Sequence, residues 1–228
     1  NGETVVASDE SFRCRVHSGF SAAGTAGYQT QFMERYDAAS PEVGFEQPAF
    51  DDSAWEFAKR RKHAEYQLFL QPSKQLEFEE IVPVGVTKNA TGYLIDFGGI
   101  FVGSLTFRAA GKRGDEIEMR FAQELNEDGS ARYELRANCR YVEYFRLSGG
   151  NDTLNQFDYK SFRYVELLPP PGCEIEPDSL RLLARHYPFT LRAACNRSDE
   201  KSLAVWKLCV DSLHYGVQEV IQDCMERE

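Results

Sequence analysis

Between residues 93 and 184 apolar and polar side chains alternate with a period of two, and this pattern limits the fold more than any other feature of the chain. From Glu116 to Phe121, Ile117, Met119 and Phe121 alternate with Glu116, Glu118 and Arg120, and Leu105, Phe107 and Ala109 alternate likewise with Thr106 and Arg108. A strand sends successive side chains to opposite faces, so these segments read as half-buried strands. Phe162 to Leu168 is apolar in both phases and predicts a strand in the middle of a sheet. Further strands are expected over 93–97, 141–147 and 180–184. Turn chemistry separates them at Ala110-Gly111-Lys112-Arg113-Gly114, Asn126-Glu127-Asp128-Gly129, Ser148-Gly149-Gly150-Asn151-Asp152 and Pro169-Pro170-Pro171-Gly172. Six or more strands at this spacing, with no helical period between them, predict antiparallel pairing and a β-sandwich.

The flanks read differently. The first 78 residues are rich in loops and small residues, with short apolar runs at 12–16, 28–32 and 67–70, and are expected to form a partial β domain. After Cys195 the period changes. Leu203, Trp206, Val210 and Leu213 fall at i, i+3, i+7 and i+10 and mark one face of a helix. Ser198 is the expected cap, with Asp199 and Glu200 in the first turn and Gly216 ending or bending the helix. One apolar stripe cannot bury itself, so this helix needs either the sandwich or other helices as its partner. The chain opens at Asn1 and closes in the charged run Asp223-Cys224-Met225-Glu226-Arg227-Glu228, which suggests a piece of a longer protein.

Composition narrows the function classes. Asp and Glu number 36 against 26 Lys and Arg, a net charge of −10, so nothing provides the basic surface that nucleic acid requires. No run approaches the roughly 18 apolar residues of a membrane span, and no membrane insertion is expected. The six cysteines are scattered without a C-x-x-C pair, which fits buried small hydrophobes better than a zinc knuckle. His17, His63, His186 and His214 show no metal-ligand spacing, so ordinary structural roles and no metal are expected. There is no G-x-S-x-G elbow. Gly98-Gly99 and Gly103 lack the lysine and strand-to-helix context of a phosphate loop, and read as a strand-end turn. The abundant aromatic rings could stack on a sugar, although core packing is their commoner use.

The terminal cluster is the remaining candidate for chemistry. Asp223, Glu226, Arg227 and Glu228 place three acids and a guanidinium within six residues. An arginine can hold one carboxylate ionised while another, in an apolar setting, stays protonated near neutrality. Two carboxyls with separated pKa values are what glycoside hydrolysis requires. A solvated chain end is the plain alternative reading of the same residues.

Motifs distributed in order along the chain give a more specific reading. Phe50-Asp51-Asp52-Ser53-Ala54-Trp55, Leu70-Gln71-Pro72-Ser73 with Glu79-Glu80-Ile81, and Asp96-Phe97-Gly98-Gly99-Ile100-Phe101-Val102-Gly103 come first. Arg120-Phe121-Ala122-Gln123-Glu124-Leu125, Asp128-Gly129 and Phe162-Arg163-Tyr164-Val165-Glu166 follow. Together they resemble the bacterial α-L-rhamnosidases of glycoside hydrolase family 78, with Ile100 where that family usually has asparagine. The final residues are similar to the family's D-C-P-x-R-E motif, with Met225 in place of proline.

The resemblance implies two antiparallel β-sandwich modules followed by the first helix of an (α/α)6 barrel that is otherwise outside the chain. On this reading residues 1–78 are a partial accessory β domain and 79–190 a jelly-roll-like sandwich. Residues 191–228 are the first helix and active-site loop of the catalytic domain. It further implies that Glu228 is the general acid, with Glu226 as its rival, and that Asp223 and Arg227 contact the sugar. The implied reaction is release of terminal α-L-rhamnose from polysaccharides or glycosides by inversion, without a cofactor, and the implied setting is periplasmic or extracellular. The isolated 228 residues are expected to be inactive. A carbohydrate-binding or architectural sandwich from a relative that has lost catalysis is the alternative, and nothing in the sequence sets the oligomeric state.

Overall fold

The computed structural model describes residues 5–6, 9–26, 31–61, 67, 69–154 and 156–221. In chain order the strands are β1 (Arg13–Cys14), β2 (Phe20–Thr25), β3 (Phe32–Asp37), β4 (Glu56–Phe57), β5 (Glu77–Ile81) and β6 (Gly85–Lys88). They continue with β7 (Tyr93–Ala110), β8 (Glu116–Ala122), β9 (Val142–Arg146), β10 (Asn151–Thr153), β11 (Lys160–Leu168) and β12 (Glu174–His186), and helix α1 (Glu200–Gly216) follows. The protein is mainly β with one helix near the end of the described chain, as the alternation predicted.

Ten strands form one hydrogen-bonded system in the order β2-β3-β9-β8-β11-β7-β12-β5, with β6 and β10 also paired to β7. β11 lies between β7 and β8, the central place that its doubly apolar pattern anticipated. The pairings are antiparallel except β3 with β9, where Arg35, Tyr36 and Asp37 run parallel to Tyr144, Phe145 and Arg146. Through that pairing β2 and β3, from the loop-rich first segment, extend the same sheet, and Met33 and Tyr36 enter the same core. Only β1 and β4 stand apart as a two-stranded ladder.

The core is aromatic, and its members are the inward-phase residues of the alternating segments. Phe97, Phe107, Phe121, Phe145 and Phe162 are almost completely buried. Phe162 meets Phe121 and Phe97 edge to face at centroid distances of 5.0 and 5.9 Å, an arrangement the ring quadrupole favours.

The glycines correct one expectation. Gly98-Gly99 and Gly103 do not end a strand, because β7 runs through them for 18 residues. Its register against β11 passes from Asp96 opposite Tyr164 to Phe101 opposite Phe162, so the extra residues bulge out of β7. Gly98 takes φ +82° there, a conformation costly for any residue with a Cβ. Gly103 serves a different need: a Cβ at that position would lie 2.2 Å from the Leu183 carbonyl oxygen of β12. These are requirements of a long, bent strand, which composition alone does not distinguish from a turn.

Helix α1 begins one residue later than expected. Asp199, not Ser198, is the cap, and its Oδ2 accepts from the Ser202 amide at 3.0 Å. A carboxylate there satisfies an orphan amide and also complements the positive helix end. The predicted stripe is only partly covered among the described residues. Leu203, Trp206 and Val210 are half-buried, and Leu213 remains 56% exposed. The helix meets the sheet through its last turn, where Tyr215 packs edge-on to Phe101 at 5.0 Å.

Candidate functional site

The residues expected to do chemistry, Asp223, Arg227, Glu228 and the rival acid Glu226, lie outside the described residues. The described part instead presents a concave region of about 1460 Å³ between the sheet and α1. Strands β2 and β3 supply one wall, the bulge of β7 another, and the 157–161 segment with Arg163 a third. Lys207, Leu208, Asp211, Ser212 and Tyr215 face it from the helix.

A charged cluster is buried beside this concavity. Lys160 and Glu143 have side chains only 1% and 0% exposed, and Lys160 Nζ stands 2.6 Å from Glu143 Oε1. The same oxygen accepts from the Glu34 amide at 2.9 Å, and the Gln156 side-chain amide donates to Glu143 Oε2. Gln156 Oε1 in turn accepts from the Leu105 amide of β7 at 2.5 Å. Glu143 is thus held by hydrogen bonds on both oxygens, whereas buried Lys160 Nζ has its ion contact with Glu143 and no hydrogen-bond partner among the described residues, so the pair depends on both charges being present.

Glu34 sits above this pair, at the cavity wall. Its carboxylate accepts from the amides of Phe157 at 3.0 Å and Asp158 at 2.6 Å. Burial is the largest influence on it, and the nearby Glu143 adds to that, so its pKa is pushed up to about 7 despite Lys160 and the two amides. Near neutrality it can therefore present either a donor or an acceptor to the cavity. Arg163 is held on the β7 bulge by Asp96, with Nε–Oδ1 and Nη2–Oδ2 both at 2.8 Å. Lys207 pairs with Asp211 at 2.7 Å on the helix. Phe157, 85% exposed, adds an open ring at the rim. Hydrogen-bonding groups of both signs beside an exposed aromatic ring suit a polyol surface.

Sequence reasoning had not singled out Glu34, Glu143 or Lys160, although a signal existed. Lys160 shares the inward phase of β11 with Phe162, and Glu143 shares that of β9 with Phe145. One charge of each sign at inward positions of two strands is the mark of a buried pair. The Phe50–Trp55 motif forms a tight turn. Asp51 Oδ1 accepts from the Ser53 amide at 3.0 Å, and Arg13 ties the turn to β1 through the Ser53 carbonyl at 2.7 Å. Trp55 packs against Phe50 there, at 5.5 Å.

A largely antiparallel strand system around an aromatic core, with a cavity on the side of one helix, makes the described part a β-sandwich. Residues 86–181, from β6 into β12, match the family model described as the bacterial alpha-L-rhamnosidase concanavalin-like domain. An alpha-L-rhamnosidase of Streptomyces avermitilis is 28% identical over 172 residues, covering 72% of this chain and 16% of the relative. Among solved structures, the alpha-L-rhamnosidase of Dictyoglumus thermophilum superposes with TM-score 0.78 at 22% identity, covering 98% of this chain and 25% of that one. The native enzyme from Aspergillus terreus gives 0.78 at 20% identity, with 97% and 26% covered. The Streptomyces avermitilis enzyme complexed with L-rhamnose gives 0.68 at 24% identity, with 89% and 21% covered. The structural likenesses establish the shared fold. The chain spans about a sixth of the curated relative and about a quarter of the first two structures.

Proposed function

We propose that this chain is the sandwich portion and first catalytic helix of an inverting glycoside hydrolase that releases terminal α-L-rhamnose from a polysaccharide or glycoside. The observation that carries the reading is the match of residues 86–181 to the rhamnosidase concanavalin-like domain. The order of elements agrees with it: a sandwich, then one amphipathic helix whose apolar stripe is only partly covered among the described residues. In this proposal Glu228 is the general acid, Asp223 and Arg227 hold the sugar, and the residues beyond the helix complete the site.

The chemistry makes definite demands on such a site. An inverting enzyme keeps its acid and base about 6.5–9.5 Å apart, with water on the far face of the sugar ring. The acid must be protonated at working pH, so Glu228 needs an apolar enclosure that lifts its pKa above that of an exposed glutamate. Such an enclosure comes from the walls of a helical barrel, and the 228 residues alone are accordingly inactive. The described sandwich acts as scaffold in this reading, with secretion beyond the cytoplasm as its setting.

The test is release of L-rhamnose by the longest natural chain that contains these residues, assayed on α-L-rhamnosides beside other glycosides. Selective release of rhamnose with inverted anomeric configuration supports the proposal. An inert protein on every rhamnoside would overturn it. Saturable quenching of Trp55 or Trp206 by rhamnose in that inert protein would favour the binding-module reading, for which the concavity lined by Glu34, Arg163 and Phe157 is the natural seat.

A further inference from the structure

The geometry points to a divalent metal site, suited to zinc, formed by Glu79 of β5, His186 at the end of β12 and His214 in the last turn of α1. One donor atom from each residue, a carboxylate oxygen and two ring nitrogens, lies within 4.8 Å of the others. Two imidazoles and a carboxylate are a zinc donor set, and three protein ligands leave a fourth position for water. At bond lengths near 2.0–2.2 Å, tetrahedral donors stand roughly 3.3 Å apart. A modest swing of the exposed Glu79 and the half-buried His214 closes them around an ion, while the buried His186 supplies the fixed point.

The surroundings already orient these ligands. Tyr215 O–H donates to Glu79 Oε1 at 2.6 Å and fixes the carboxylate. His186 Nδ1 lies 3.4 Å from the Tyr187 carbonyl oxygen. A proton on Nδ1 there leaves the Nε2 lone pair for metal. Partners of this kind set the tautomer and ring orientation of metal-bound histidines. The two imidazoles lie with ring centroids 4.0 Å apart, and the neutral form of such rings is the one that binds metal.

The position also gives the ion a task. Helix α1 packs on the sheet core through Tyr215 of its last turn, and the three ligands join that turn to β5 and β12. Metal at this point would fix the angle at which the helix leaves the sandwich. The sequence could not signal it, because His186 and His214 are 28 positions apart and Glu79 is farther still.

The test is calorimetric titration of the full 228-residue chain with Zn²⁺ after chelator treatment, near neutral pH. One tight equivalent is expected, and it should raise the Tm. Glu79→Gln and His214→Ala should each weaken binding by about 100-fold or more, and Tyr215→Phe by about 10-fold. Co²⁺ in the same site should show visible d–d bands without thiolate charge transfer. Glu79→Gln keeps an acceptor for Tyr215, so it decides the matter should His214→Ala fail to fold by circular dichroism. A folded wild type that binds no zinc would overturn the site. So would binding that Glu79→Gln leaves unchanged, which would place the ion away from this cluster.

Discussion

Lys160 and Glu143 show how much a single inward-facing charge can demand of a sandwich. Removing either partner strands the other in a site of almost no solvent exposure. Lys160→Met alone should cost about 3–5 kcal/mol in urea unfolding, with Glu143→Gln of the same order, because an uncompensated buried charge remains. The double variant should lie closer to wild type than Lys160→Met does. Simple additivity would show that the two side chains are not coupled.

Glu34 makes a separate prediction in pH. Its folded pKa of about 7 stands above its ordinary 4.5, so between these values the folded protein holds a proton that the unfolded chain has released. Stability should therefore fall as pH rises from about 4.5 to about 7, the contribution of this group being fully present below that window and lost as pH passes through its folded pKa. Denaturant unfolding of Glu34→Gln across the window should lack this component of the slope, and an unchanged slope would contradict the placement. None of these three residues was evident from composition. Their phase within strands was legible, but the hydrogen bonds that make their burial tolerable come from Gln156 and the 157–158 amides, which only the fold brings together.

At the scale of elements, the alternation of Leu105, Ile117 and Phe121 located the strands because one buried face imposes a period of two. It could not locate the bulge of β7. A glycine pair looks the same in a turn as in a strand that continues past it, and the difference lies in Asp96 and Arg163 gripping each other across the bulge. The join between β3 and β9 was equally hidden, since parallel pairing between segments more than 100 residues apart leaves no local trace. The helix was legible in type and stripe, and its cap was misplaced by one residue because serine and aspartate both serve there. Asp199→Ala should cost about 1 kcal/mol, with a loss of helicity by circular dichroism confined to α1. Ser198→Ala should leave that signal unchanged, and the opposite result would restore the cap to Ser198.

At the scale of the molecule, residues 86–181 match a rhamnosidase sandwich domain, and the helix that follows leaves Val205, Leu208 and Leu213 each more than half exposed. The terminal residues acquire a chemical role only through family likeness. A general acid needs an apolar enclosure to stay protonated, which no local property of the sequence can establish. A general acid contributes most where the leaving group is poor and least where it departs without a proton.

The most direct measurement is therefore a comparison of Glu228→Gln with wild type in the longest natural chain containing this segment. It should be made on a natural α-L-rhamnoside and, in parallel, on one with an activated aryl leaving group. The account predicts a loss of about 10²–10⁴-fold in kcat/KM on the natural substrate and a much smaller loss on the activated one. An equal effect on both substrates, or an unaltered rate on the natural one, would contradict the assignment of Glu228 as the acid.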